Sequence, residues 1–211
     1  MKNVSILCTD ILHPVNAWLE RWAKEVASRA DVRILRDVRE LAGGDFLFLV
    51  SCQQLVRKPA RDAYRYCLVL HASALPEGRG MSPHIWELLE GREQLTVSLL
   101  NAEDPVDSGA IWNQSSFLVA RTALADEINQ QLFDAEVGLM AWALNHCETT
   151  QPLPQQGTST TYRRRTPADS EIDATRPLAD YFDLLRVSDA ARFPAYFVYR
   201  GQKYRIRIDK L

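Results

Sequence analysis

The segment LVLHASALPEGRG, Leu68 to Gly80, runs an unbroken apolar stretch into a histidine, then a proline, two glycines and an arginine. A short apolar run bounded by turn residues reads as a strand covered on both faces, so His71 stands where a buried strand stops and a tight loop begins. Runs of the same kind recur upstream in VSILC (Val4 to Cys8), VRIL (Val32 to Leu35) and FLFLV (Phe46 to Val50). Between the first two, Val15, Leu19, Trp22 and Val26 repeat at helical spacing within Val15 to Arg29. Strand, helix and strand with short connections imply right-handed crossovers and a parallel sheet. The fold class expected is therefore α/β, a doubly wound and mostly parallel sheet. Ligands of such sheets collect outside the carboxyl ends of the strands. Three loops meet at that rim: CTDILHPVN (Cys8 to Asn16), SCQQ (Ser51 to Gln54) and the loop behind His71.

Downstream, Pro83 to Glu90 reads as a short helix closed by Gly91, and LTVSLLNA (Leu95 to Ala102) as a strand. EDPVDSG (Glu103 to Gly109) is a turn-rich loop feeding a further strand in AIWNQSSFLV. Ile128, Leu132, Ala135, Leu139 and Ala143 stripe a helix from about Ala125 to Leu144. TTQPLPQQGTSTT (Thr149 to Thr161) has no core pattern and reads as a connector. Beyond it lie a helix around Leu178 to Arg186 and a hairpin, AYFVY and KYRIRI, turning at Arg200 and Gly201. The organisation expected is a main domain over residues 1–148, a linker over 149–161 and an appendage over 162–211 packed on the main domain.

Composition narrows the partners. The 211 residues carry 25 Lys and Arg against 27 Asp and Glu, so no broad positive field exists to hold nucleic acid or an anionic membrane. The N-terminus has no signal-peptide pattern, and FLFLV is far short of the roughly twenty residues of a membrane helix, so a cytoplasmic protein is expected. The four cysteines, Cys8, Cys52, Cys67 and Cys147, lack CxxC spacing, which indicates neither a zinc site nor a disulfide framework.

HASALPEGRGMSP followed by VDSG resembles the formyltransferases that use N10-formyltetrahydrofolate, whose active-site loop reads H-x-S-x-L-P-x-x-R-G-x-x-P and whose second loop carries D-x-G. The matching positions are His71, Ser73, Leu75, Pro76, Arg79, Gly80 and Pro83, then Asp107 and Gly109. YRRRTPADSEID and FPAYFVYRGQKYRI resemble tail segments of sugar N-formyltransferases. CTDILHPVN and the short length look most like the small subgroup linked to pseudaminic-acid-type amino-sugar biosynthesis. The likeness runs from Asn3 to the C-terminus. A glycinamide ribonucleotide transformylase would be expected to carry a glycine-rich phosphate loop after the first strand, and CTDILHPVN has no glycine. A methionyl-tRNA formyltransferase would be expected to carry a longer, basic C-terminal domain, which the length and charge do not allow.

The resemblance implies a formyltransferase-type Rossmann-like fold and formyl transfer from N10-formyltetrahydrofolate to the amine of an amino sugar, nucleotide-linked. Attack of an amine on a formyl carbon creates an oxyanion and an ammonium, so the site must stabilise one and deprotonate the other. The resemblance gives these tasks to His71 and Asp107. It implies a cofactor side of Val50, Ser51, Cys52, Leu100, Glu103, Asp104 and Val106, and a substrate side of Asn16, Ser73, Arg79 and Gly80, with no metal.

One position departs from the family. The family usually has Asn-x-His, its amide donating to the oxyanion, whereas this chain has Val69 two residues before His71. Loss of such a donor costs about 3 kcal/mol of transition-state stabilisation. Ser51, Cys52, Gln53 and Asn16 are the candidate replacements.

Several readings stay open on residues alone. Asp107 is equally at home as a turn residue. His13 and Asn16 suit either a sugar contact or helix entry, and Arg163 to Arg165 either a diphosphate partner or a solvated run. Tyr196, Phe197 and Tyr199 suit the hairpin itself or a homodimer contact. A formyltetrahydrofolate hydrolase and a non-catalytic folate- or sugar-binding protein on the same frame are the alternative functions.

Overall fold

The apolar runs pair in the middle of a sheet, where unbroken hydrophobic strands belong. In chain order the computed structural model, which describes residues 1–211, has β1 (Lys2–Leu7), α1 (Asn16–Glu25), β2 (Ala30–Leu35), β3 (Gly44–Leu49), α2 (Lys58–Arg61), β4 (Tyr64–His71), β5 (Arg79–Gly80), α3 (Pro83–Leu89), β6 (Gln94–Asn101) and β7 (Ile111–Leu118). There follow α4 (Ala125–His146), β8 (Thr161–Tyr162), α5 (Phe182–Val187), β9 (Ala195–Tyr199) and β10 (Gln202–Ile206). The main sheet is ordered β2-β1-β3-β4-β6-β7. β1, β2, β3 and β4 run parallel, so the loops after β1, β3 and β4 share one rim.

β6 and β7 are antiparallel to their neighbours, a feature the apolar runs do not announce. The reason lies in α3. His71 pairs with Ser98, which puts Gln94 and the end of α3 on the rim side, and a strand starting there can only run back across the sheet.

One face of the sheet, with Val4, Ile6, Phe46, Phe48, Leu68, Leu70, Val97 and Leu99, is covered by Val15, Leu19 and Trp22 around α1 and by Leu132, Phe133, Leu139, Met140 and Ala143 of α4. On the opposite face Leu7, Leu35, Leu47, Val56 and Tyr64 form a smaller cluster. A third joins Leu88 of α3 and Leu95 of β6 to Val119, Ala123, Ile128 and Val187, and so seats α5 on the body. Arg192 to Asp10 and Lys210 to Glu127 are ion pairs between the C-terminal segment and the body. No helix is long and apolar enough to cross a membrane.

The segment expected to be a plain linker is built into the body. Ile111 and Leu153 exchange both backbone hydrogen bonds at 2.8 Å. Farther on, β8 pairs in parallel with β5 inside the loop behind His71.

Buried on α4 among apolar side chains is Glu136, whose Oε2 has no hydrogen-bond partner. Burial pushes its carboxyl up to about 8, so it is protonated at neutral pH. The folded state therefore holds a proton that the unfolded chain releases near its ordinary carboxylate range. Stability is fullest below that range and is lost as pH rises toward 8. Relative to Glu136→Gln, the native chain should lose about 1.4 kcal/mol per pH unit across that window. Urea melts at pH 5, 6.5 and 8 read the difference, and parallel profiles for the two proteins would refute it.

Candidate active site

His71 is the last residue of β4, and with Cys67 and Val69 it shares one face of the strand. Its Nε2 lies 2.9 Å from the Gly78 carbonyl oxygen. A carbonyl only accepts, so Nε2 carries the hydrogen and Nδ1 is left facing Asp107 Oδ1 at 3.5 Å. Both side chains are 8% exposed. In this arrangement a proton arriving at Nδ1 meets a carboxylate in a low-dielectric setting, where their attraction is strong.

Asp107 is held rather than merely near. Its Oδ2 accepts from the Gly80 backbone amide at 3.0 Å, and its own backbone is left-handed, φ 60. Of the four non-glycine residues with positive φ, three lie around this rim: Ser51 after β3, Ser82 entering α3, and Asp107. Strain of that kind persists only where the surroundings impose it and clusters at functional sites. Gly109 is needed for a different reason. A Cβ there would stand 2.0 Å from the Asn101 carbonyl oxygen, so the D-x-G turn can press against β6 only with glycine.

Gln155, from the segment read as a connector, locks the two loops together. Its amide nitrogen donates to the carbonyls of Asp107 (2.8 Å) and Gly109 (2.9 Å), and its Oε1 accepts from Arg79 Nη2 at 2.6 Å. Thr160 Oγ1 accepts from the Gly78 amide at 2.8 Å. No local pattern in the sequence marks Gln155, because its partners lie 46 to 76 residues away.

A cleft of about 430 Å³ opens between α2 and the Asp107 loop, lined by Lys58, Arg61, Asp62, Tyr64, Cys67, Asn101, Ala102, Glu103 and Asp104. Arg61 Nη1 donates to the Val56 carbonyl and to Asp104 Oδ1, both at 3.0 Å, which ties α2 to the loop. Of the expected cofactor-side residues, Glu103 and Asp104 line this cleft, and Val106 is 61% exposed on the same loop. Ser51 and Cys52 are half-buried at the end of β3, where the Cys52 thiol donates to the Gln54 carbonyl. Val50 and Leu100 are corrected: both are wholly buried and present no surface to a ring. Arg61 and Lys58 were missed, since a four-residue helix leaves no periodic signal.

The substrate side divides. Arg79 and Gly80 stand on the loop beside Asp107. Ser73 is fully buried and its hydroxyl donates to the Glu77 carbonyl, so it braces the loop and meets no ligand. Asn16 is likewise corrected to a structural role, its amide nitrogen donating to the carbonyls of Asp10, Ile11 and His13 at 3.0, 3.1 and 2.8 Å. That commitment also removes Asn16 as a replacement for the missing asparagine. Gln53 keeps an exposed side chain, with its backbone amide donating to Thr9 Oγ1 at 2.9 Å.

Known proteins carry the same framework. The chain is 30% identical over 174 residues to a methionyl-tRNA formyltransferase of Gluconobacter oxydans, covering 79% of this chain and 56% of that protein. It spans about half the length of the curated relatives it matches. Among solved structures, a methionyl-tRNA formyltransferase from Clostridium thermocellum superposes with a TM-score of 0.85 at 21% identity over 100% of this chain and 94% of that one. HypX from Aquifex aeolicus in complex with tetrahydrofolic acid gives 0.81 at 17% over 98% and 37%. A sugar N-formyltransferase from Shewanella sp FDAARGOS_354 gives 0.76 at 16% over 99% and 97%. At such identities these structures establish the fold alone. The sequence relatives named here are methionyl-tRNA enzymes, so a particular closeness to the sugar-acting subgroup does not follow from them. The family model for formyl transferases matches residues 13–144, spanning α1, His71, Asp107 and most of α4, and the chain belongs to that family.

Proposed function

We propose that the protein transfers a formyl group from N10-formyltetrahydrofolate to the amino group of an amino sugar, nucleotide-linked. The observation that carries this is the buried His71 and Asp107 pair, with Asp107 on the loop whose first residues, Glu103 and Asp104, line a cleft with room for a flat heterocycle. The acceptor amine attacks the formyl carbon, forming a carbon–nitrogen bond and an oxyanion. Its proton passes to the His71–Asp107 pair and is returned to N10 as the bond from that nitrogen to carbon breaks, releasing tetrahydrofolate and the formamide. The backbone amides of the Glu103 to Asp107 loop offer donors to a pterin edge. A near-balanced charge supports a small acceptor over a polyanion. The methionyl-tRNA relatives support the alternative acceptor.

One assay separates the readings. The protein is incubated with N10-formyltetrahydrofolate and, in parallel, a panel of nucleotide-linked amino sugars, methionyl-tRNA, or buffer alone. A formamide on a sugar amine is the expected product. Formylated methionyl-tRNA would replace the acceptor, formate release in buffer would indicate a hydrolase, and tetrahydrofolate binding without turnover in any arm would overturn catalysis.

A further inference from the structure

Histidine 84 is the second residue of α3, and neither of its ring nitrogens makes a hydrogen bond, although Nδ1 is shut off from solvent. Buried polar atoms are nearly always partnered, and an exception calls for an explanation. Burial first, and the field of neighbouring basic groups second, bring the ring down to about 4; of those groups Arg165 is the constant cation, while His13 and His71 add charge only when protonated. His84 is therefore neutral at physiological pH, on the helix that directly follows the loop behind His71.

Arg165 is in the same condition. Its Nη2 donates to the Asp169 carbonyl at 3.1 Å and to Ser170 Oγ at 3.3 Å, both uncharged, and its Nε is buried without a partner. The nearby carboxylate of Asp169 is spoken for: both terminal nitrogens of Arg163 grip it, and the Thr166 amide donates to it. On the far side Asp10 is taken by Arg192, the cation that together with burial lowers His13 to about 4. Trp86, two residues after His84, carries Arg163 over its ring at 4.8 Å and Arg165 at 6.0 Å, which fixes the guanidinium against α3. Arg165 and His84 thus share the neighbourhood of α3, each with a buried nitrogen left unpartnered, and an oxyanion bound between them would satisfy both.

We propose that His84 and Arg165 form a recognition site for an anionic group, phosphate or carboxylate, that the acceptor carries close to its reacting amine. The inference rests on the formyl-transfer reading above and adds the chemistry of the acceptor to it. An anion seated there stabilises the protonated ring, so its affinity rises as pH falls, with His13, His71 and Arg165 as the groups whose charge opposes that protonation.

The chain has four histidines, so ring-nitrogen NMR of the intact protein can follow each one. Inorganic phosphate and, separately, acetate are titrated in. The His84 signals should shift saturably, with the ring's midpoint raised by about one pH unit or more in the complex. Arg165→Gln should weaken the anion about tenfold or more. His84→Gln should lose the rise in affinity that ring protonation supplies, leaving only the pH dependence set by the anion's own titration. Saturation by phosphate alone identifies a phosphorylated acceptor, and saturation by acetate a carboxylated one. His84 signals that ignore both anions, or respond equally in folded Arg165→Gln, overturn the site. Tetrahydrofolate added to the same samples tests the parent reading independently, since its failure to bind while the anion still does would sink formyl transfer and leave the anion site standing.

Discussion

His71→Ala should lower formyl transfer by about 10³-fold or more, and Asp107→Asn by about 10²- to 10³-fold, with tetrahydrofolate binding little changed in either. The asparagine keeps the shape of Asp107, including an oxygen for the Gly80 amide, but it can neither accept the amine proton nor steady a charged imidazole. Its loss should appear in kcat rather than KM, because the missing interaction exists only once the proton has moved. Single-turnover transfer from N10-formyltetrahydrofolate measures both variants, and urea melts confirm that they are folded. Added imidazole should restore part of the His71→Ala rate and none of the Asp107→Asn rate. Native turnover in either variant would end the assignment.

Gly80→Ala is expected to damage both stability and transfer severely. Its backbone sits at φ +97, and a Cβ would stand 2.3 Å from the Tyr162 carbonyl oxygen, a backbone atom that cannot swing aside. Steric overlap and left-handed strain together should cost about 3 kcal/mol or more. The pairing of β5 with β8 would open, and the amide that holds Asp107 would move with it, so transfer should fall alongside the urea midpoint. Gly201→Ala is the control. That residue has φ +79 but nothing within 4 Å of the added carbon, so strain acts alone and should cost about 1 kcal/mol. Equal losses in the two variants would show that contact with Tyr162 is not what Gly80 avoids.

The parallel half of the fold was legible because β1, β3 and β4 are buried on both faces and read as unbroken apolar runs. β6 reads the same way, yet runs the other direction; strand polarity comes from where α3 releases the chain, and no run of side chains encodes it. His71, Asp107, Arg79 and Gly80 were singled out by the resemblance of their two loops to the formyltransferase pattern, and the structure brings all four together at one rim. Val50 and Leu100 were misjudged for want of register, which decides whether a strand-end side chain meets a ligand or the core. Gln155 escaped because its partners are distant in the chain, Arg61 because a four-residue helix leaves no periodic signal, and His84 because one polar residue in PHIWELL does not disturb an apolar helix.

The reaction loop's backbone is completed from far along the chain, with Arg79 donating to the Thr160 carbonyl at 2.9 Å and Met81 to that of Tyr162 at 3.2 Å. During synthesis the first four sheet strands have left the ribosome well before residues 160–162 emerge, so a nascent chain can assemble its framework while the chemistry stays unformed. A ribosome stalled between α4 and Thr160 should therefore display a structured but inert polypeptide, and competence should arrive abruptly with the release of those last few residues.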